Sequence, residues 1–194
     1  MFFFKKPDYS FLLVCLGNPG KEYAHTRHNA GFLFAGWLEK NKDVRIKRVK
    51  FNSLYGEIKL GGRRGLVVLP QTYMNLSGVA VKGFAKNYGI SAGDVLVISD
   101  DINFGVGQMR IKRKGSSGGH RGLLSIEEQL ESEAYPRIKI GVGDKAEKQD
   151  LKDHVLSDFS SAELKTLEEM WEKVYDASDL TIGGDIDRAM MKYN

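Results

Sequence analysis

FLLVCLGNPG, residues 11–20, is the stretch from which the fold is read. Its first six residues are apolar without a break, and the Gly-Asn-Pro-Gly that follows is turn chemistry. Such a run closed by a turn reads as a buried strand, Phe11–Leu16. DVLVISD (94–100) repeats the pattern as a buried strand ending in acids, and RIKIGVG (137–143) is another strand. SLYGEIKL (53–60) and RGLVVLP (64–70) are strands joined through GGRR, a hairpin signal. QMRIKRK (108–114) alternates instead, which predicts a half-exposed strand with a basic face. Helical patterns fill the gaps. NAGFLFAGWLEK has helical spacing from about His28, and Asn75–Tyr88 follows with Gly89 as its stop. GGHRGLLSIEEQLES opens a helix after a glycine-rich loop. Ser160-Ser-Ala-Glu163 is a capping box for a helix through EEMWEKVYDA, and a short helix covers Asp185–Lys192. Strands alternating with helices, plus one hairpin, predict an α/β protein. We expect a single domain over residues 1–194, with a central twisted mixed β-sheet flanked by helices on both faces.

The 194 residues include 42% hydrophobic side chains, enough for one such core. The single cysteine, Cys15, excludes an internal disulfide framework, suits a reducing compartment and reads as a small buried hydrophobe. The opening MFFFKKPDYSFLLVCLG resembles a signal peptide only superficially. Lys5, Lys6 and Asp8 interrupt it, the apolar part after Ser10 is short, and no small-x-small site follows. No run approaches the ~20 apolar residues of a membrane span. The expected location is therefore cytoplasmic. Net charge is +4, unevenly spread: residues 1–143 carry 22 basic and 12 acidic side chains, residues 144–194 carry 7 and 13. RIKRVK (45–50) and RIKRKGSSGGHR (110–121) contain no acid. This suggests a polyanionic partner such as nucleic acid, the plain alternative being solvated strand edges.

Sites in open α/β sheets form beyond the carboxyl ends of the strands. Asn18 follows the first strand, Asp100 ends another, Asn75 follows the second hairpin strand and its turn, and His28 lies one loop from Asn18. A histidine for proton transfer, a carboxylate to orient it and amides to hold a carbonyl make a hydrolytic set. In YAHTRHNAGF (23–32), His25 and His28 stand at i, i+3, a spacing that can hold a metal on a helix. A metal site needs a third ligand; Glu22 is near, but no HExxH or cysteine cluster accompanies the pair, so no metal is expected. His25 reads as a solvent-facing loop residue. His28 reads either as a base or as a capping or packing histidine. GSSGG (115–119) fits G-x-S-x-G, which would make Ser117 a nucleophile, but the preceding strand is alternating and basic rather than buried. The downstream His154 lies in KDHVLSDF, a predicted surface segment. That glycine loop, with Arg110, Lys112, Arg113 and Lys114 before it and a helix after it, suits a phosphate better; a tight surface turn is the alternative. The dinucleotide fingerprint GxGxxG is absent.

Four ordered motifs, LGNPGKEYAHTRHNAGF, LPQTYMNLSGVAV, VLVISDDI and GSSGGHRGL, resemble the bacterial-type peptidyl-tRNA hydrolase family over roughly residues 11–190. The resemblance implies hydrolysis of the ester between a peptide and the 3′ ribose of tRNA, with peptidyl-tRNA as partner, no cofactor and a monomeric state. It implies that His28 is the general base, that Asp100 orients it, and that Asn18 helps distinguish blocked from free aminoacyl ends. Tyr23, Tyr73 and Asn75 match substrate-contacting positions, Met74 the pocket wall, and Lys112 and Lys139 basic positions that hold phosphate. Four departures stand out. Arg121 replaces the family's usual asparagine; it can donate but not accept. Ser99 replaces a histidine of some members, and Asn103 replaces a common acid. Lys139 replaces a common arginine, keeping charge but losing bidentate geometry. Some family relatives act as RNA-splicing partners, so a catalytically inactive RNA-binding protein is the alternative, with a serine esterase using Ser117 behind it.

Overall fold

The computed structural model describes residues 8–145 and 149–194. Met1–Pro7, including Lys5 and Lys6 of the signal-like opening, lie outside the described residues. The chain runs β1 (Leu12–Cys15), α1 (Ala30–Asn41), β2 (Arg48–Lys50), β3 (Ser53–Leu60), β4 (Arg63–Pro70) and α2 (Ser77–Tyr88). It continues with β5 (Val95–Asp101), β6 (Met109–Lys112), α3 (Arg121–Leu130), β7 (Arg137–Gly141), α4 (Leu151–Val155), α5 (Ser161–Ile182) and α6 (Ile186–Tyr193).

The seven strands form one mixed sheet in the order β2-β3-β4-β1-β5-β7-β6. β4, β1, β5 and β7 pair in parallel; β3 is antiparallel to β4 and β6 to β7. β1 and β5 lie centrally and are buried along their whole length, which is what unbroken apolar runs require. One face packs Phe34, Trp37 and Leu38 of α1 with Leu167, Trp171 and Val174 of α5 and Ile186 of α6. The other packs Val81 and Phe84 of α2 with Leu123 and Ile126 of α3. The expected two-faced α/β architecture is therefore present. Chain order reverses about β1, with β4 on one side and β5 on the other, and this reversal opens a crevice at the strands' carboxyl ends.

Local chemistry explains the element ends. The β3–β4 hairpin turns at Gly61-Gly62, both left-handed (φ 55° and 71°), as a two-residue hairpin turn requires. The α1 start lies hard against β1: a Cβ at Gly31 would come within 2.5 Å of the Leu16 backbone. The capping box forms, Ser160 Oγ accepting from Glu163 N and Glu163 Oε2 from Ser160 N.

Several expectations need correction. Residues 27–29 and 74–76 are single 3₁₀ turns, so α1 and α2 begin later than the apolar spacing predicts. RIKRVK contributes a strand, β2, which basic composition concealed. The KDHV segment is not simply surface: it forms α4, and His154 is buried with its Nε2 2.8 Å from the Gly143 carbonyl. α5 continues a full turn past Ala177 to Ile182.

Candidate active site

A cleft of about 530 Å³ lies at the carboxyl ends of β1, β4, β5 and β7. Asn18, Tyr23, His28, Tyr73, Met74, Asn75, Asp100, Arg121 and Lys139 all line it. Lys112 does not: it is exposed on edge strand β6, in register with Arg137 at the opposite end of β7. His120, Ser117, Asn103 and α4 complete the cleft wall.

The cleft centres on Asp100, buried at the end of β5. His28 Nδ1 lies 2.9 and 3.0 Å from its two oxygens, and His120 Nε2 lies 2.9 Å from Oδ1. The other nitrogen of His120, Nδ1, accepts from the backbone N–H groups of Gly122 and Leu123 at 3.1 and 3.2 Å, capping α3. An acceptor Nδ1 carries no proton, so the proton of neutral His120 sits on Nε2 and is donated to Asp100. Asp100 in turn accepts from Nδ1–H of His28, which leaves the Nε2 lone pair of His28 free at the cleft. Both tautomers thus follow from the hydrogen-bond pattern.

Burial alone would lower the His28 pKa; the charge and hydrogen bond of Asp100 outweigh it and raise the pKa, while Arg121 pulls it back. Burial would raise the Asp100 pKa, but the charge and hydrogen bonds of His28 and His120 hold it well below the usual carboxylate range.

The amides are equally constrained. Asn29 is buried; its Oδ1 accepts from Asn18 N at 2.8 Å and its Nδ2 donates to Asn18 O at 3.0 Å. The Asn18 Oδ1 accepts from Met74 N at 2.9 Å, so its two Nδ2 protons are what it can offer a ligand. Arg27 holds the back of the site: its guanidinium makes a two-pronged contact with Glu163 and donates to the Val142 carbonyl at 2.7 Å. Lys139 is ion-paired with Asp101, whose Oδ1 also accepts from N and Nδ2 of Asn103.

His25 faces solvent, as the sequence suggested, and lies outside the ligand atoms that gather among the described residues. The atoms that do gather belong to His28, Asp100 and His120, within 4.8 Å of one another. They do not fit a metal, because a ligating His120 Nε2 would have to shed its proton while Nδ1 faces two N–H donors. The phosphate reading of the glycine loop loses two of its helix donors, since the His120 ring already occupies the Gly122 and Leu123 N–H groups, and Arg113 pairs with Asp187 at 2.5 Å. The Ser117 hydroxyl makes no hydrogen bond to a histidine side chain among the described residues, as an activated serine needs; only its backbone carbonyl accepts, from His120 N at 3.2 Å.

His120, Asn29 and Arg27 were not assigned from the sequence. His120 carried one legible signal, a polar residue between a glycine loop and a helix start; Asn29 and Arg27 act through partners far away in the chain.

A buried carboxylate beside an imidazole at the carboxyl edge of an α/β sheet is the kind of centre that a hydrolase presents. The profile described as peptidyl-tRNA hydrolase matches residues 12–194. A peptidyl-tRNA hydrolase of Caldanaerobacter subterraneus subsp. tengcongensis is 44% identical over 184 residues, covering 95% of this chain and 99% of that one. One from a Thermotoga species is 42% identical over 183 residues, covering 94% and 96%. The crystal structure of peptidyl-tRNA hydrolase from Acinetobacter baumannii superposes with a TM-score of 0.87 at 33% identity, covering 97% and 96%. The chain belongs to the peptidyl-tRNA hydrolase family.

Proposed function

We propose that this protein hydrolyses the ester joining a peptide to the 3′ ribose of tRNA, with His28 as general base. The observation that carries this reading is the fixed tautomer of His28, Nδ1–H on buried Asp100 and Nε2 open to the cleft. A water bound at Nε2 attacks the ester carbonyl while Nε2 takes its proton. The tetrahedral oxyanion accepts hydrogen bonds from amide donors, a role that Asn18 Nδ2 suits because Asn18 Oδ1 already accepts from Met74 N. On collapse the ribose 3′ oxygen leaves with the proton from the imidazolium, giving a peptide acid and a free tRNA end. The positive imidazolium is stabilised by Asp100, which remains ionised. An ester is an activated acyl group, so base and water suffice without a covalent intermediate or a metal.

Tyr23, Tyr73, Asn75 and Met74 form the wall against which the peptide lies, uncharged and therefore tolerant of sequence. Arg121 and Lys139 face the phosphates of the acceptor end, and Lys112 extends that contact along β6. A chain acting as one domain over residues 1–194, monomeric and cytoplasmic, fits this role. Among the described residues no helix is long and apolar enough to cross a membrane. A purely RNA-binding protein would have no use for a carboxylate buried under two imidazoles.

The test is release from an N-blocked aminoacyl-tRNA against its unblocked counterpart, with chelator present. Release from the blocked substrate alone is expected; no release while tRNA still binds would overturn the catalytic reading.

A further inference from the structure

The sheet edge farthest from β6 carries a second basic surface that the proposed chemistry does not use. Arg48 pairs with Tyr55, Lys50 with Ser53, and Lys59 with Arg64 in the strand register, so alternation sets all of them on the face shared with α2. Lys82 and Lys86 extend this surface from the exposed side of α2. Phe51, in the left-handed turn between β2 and β3, locks that turn to the helix. It meets Phe84 edge-on at 5.2 Å, and a Cβ on Gly83 would lie 2.8 Å from its ring.

Cations and rings are interleaved. Lys50 Nζ lies 4.9 Å from the Phe51 ring and 5.1 Å from that of Tyr88, and the Arg48 guanidinium lies 4.8 Å from Tyr55. The acid on this face, Glu57, is already engaged by Tyr9, Arg48 and Arg64. Lys50, Lys59, Lys82 and Lys86 have no ion-pair partner among the described residues. Unanswered cations spaced by aromatic rings, next to an acid that is already neutralised, complement a phosphate backbone.

We propose that this β2–β3–α2 surface binds the phosphate backbone of RNA as a second contact, separate from the cleft and from the β6 edge. β2 and β6 are the opposite edges of the seven-stranded sheet. Six strand spacings separate them by about 29 Å. RNA held along β6 therefore does not neutralise this surface, and a different part of the molecule must. The inference rests on the tRNA-ester reading only in taking tRNA as that RNA.

The test is binding of deacylated tRNA between 50 and 300 mM salt by wild type and Lys50→Ala/Lys82→Ala/Lys86→Ala. Each lysine that neutralises a phosphate adds about 0.9 to the slope of log K against log salt, so the triple variant should lose about 2 to 3 of that slope. Hydrolysis of an N-blocked aminoacyl ester of a short 3′-terminal oligonucleotide should be unchanged in the variant, and Lys82→Arg/Lys86→Arg should keep the wild-type slope. A wild-type slope in the triple variant overturns the proposal. So does a slope lost in the arginine variant, which would mean that structure and not charge was changed. Equal loss of binding to a polyglutamate peptide would overturn it in favour of an acidic protein partner. Failure of the hydrolase reading would show separately, as absence of release by the wild type, because the slope is measured without an ester.

Discussion

At the scale of single residues, the site depends on which atom holds which proton. Asp100 accepts from two imidazoles, so its ionisation supports stability and, in the proposed mechanism, catalysis. The sign of the stability effect follows from its lowered pKa. The contribution is present above the unfolded carboxyl pKa of about 3.9 and is lost as the pH falls toward the folded value. Asp100→Asn should flatten the acid limb of stability measured by denaturant unfolding from about pH 5 down to about pH 2. His28→Ala should lower turnover about 10²–10⁴-fold with tRNA binding kept. Arg121 disfavours the His28 imidazolium, so Arg121→Asn should raise the His28 pKa further. Because the base must be unprotonated, the acid limb of kcat/KM should move to higher pH; a move to lower pH would remove Arg121 from the neighbourhood of the base. The Asn103 amide donates to Asp101 at 2.7 Å, a contact that a carboxylate at this position would turn into repulsion. Asn29→Ala strands two buried backbone groups of Asn18. It should destabilise by about 1–3 kcal/mol and lower kcat by releasing the Asn18 loop, as thermal unfolding and steady-state kinetics would show.

At the scale of elements, helix ends and strand edges do the positioning. His120 is both the cap of α3 and a donor to Asp100, and these roles separate chemically. Asparagine is a good N-cap but is too short to copy the Nε2 contact, so against His120→Ala, His120→Asn should restore the part of the unfolding midpoint that the cap supplies while turnover stays low. If the two variants unfold alike, the cap contributes nothing apart from the Asp100 contact. Ser160→Ala should cost about 1 kcal/mol through its broken capping box. It should also loosen the Glu163 carboxylate that braces Arg27. The edge of β6 is closed by a side chain: Asn194 Oδ1 accepts from Ile111 N at 2.6 Å and its Nδ2 donates to Ile111 O at 3.2 Å. That pairing copies a strand partner and blunts an edge otherwise open to association.

At the scale of the whole molecule, charge and core divide the work. Lys112→Ala should raise KM and flatten the salt dependence of tRNA binding with little change in turnover at saturation; an unchanged slope would argue against a phosphate there. Much of this architecture was legible in the sequence because it follows from short-range rules. The apolar runs at 11–16 and 95–98, each bounded by turn or polar residues, read as strands buried on both faces, and glycine pairs and the Ser160 box mark ends that neighbouring residues decide. The polar residues at the strand ends, Asn18, His28, Asn75 and Asp100, were legible too, because an α/β sheet presents such ends at one crevice. What the sequence did not show is contact between distant positions. β2 is a strand only because β3 lies beside it, and His154 is buried only because the Gly143 carbonyl awaits it. His120 meets Asp100 across twenty positions, and Arg27 meets Glu163 across 136. By itself the sequence determined the elements other than β2 and α4, the two-faced sheet and the candidate base. Only the tertiary structure decided the tautomers of His28 and His120, since a proton's place on an imidazole is set by the groups that fold around it.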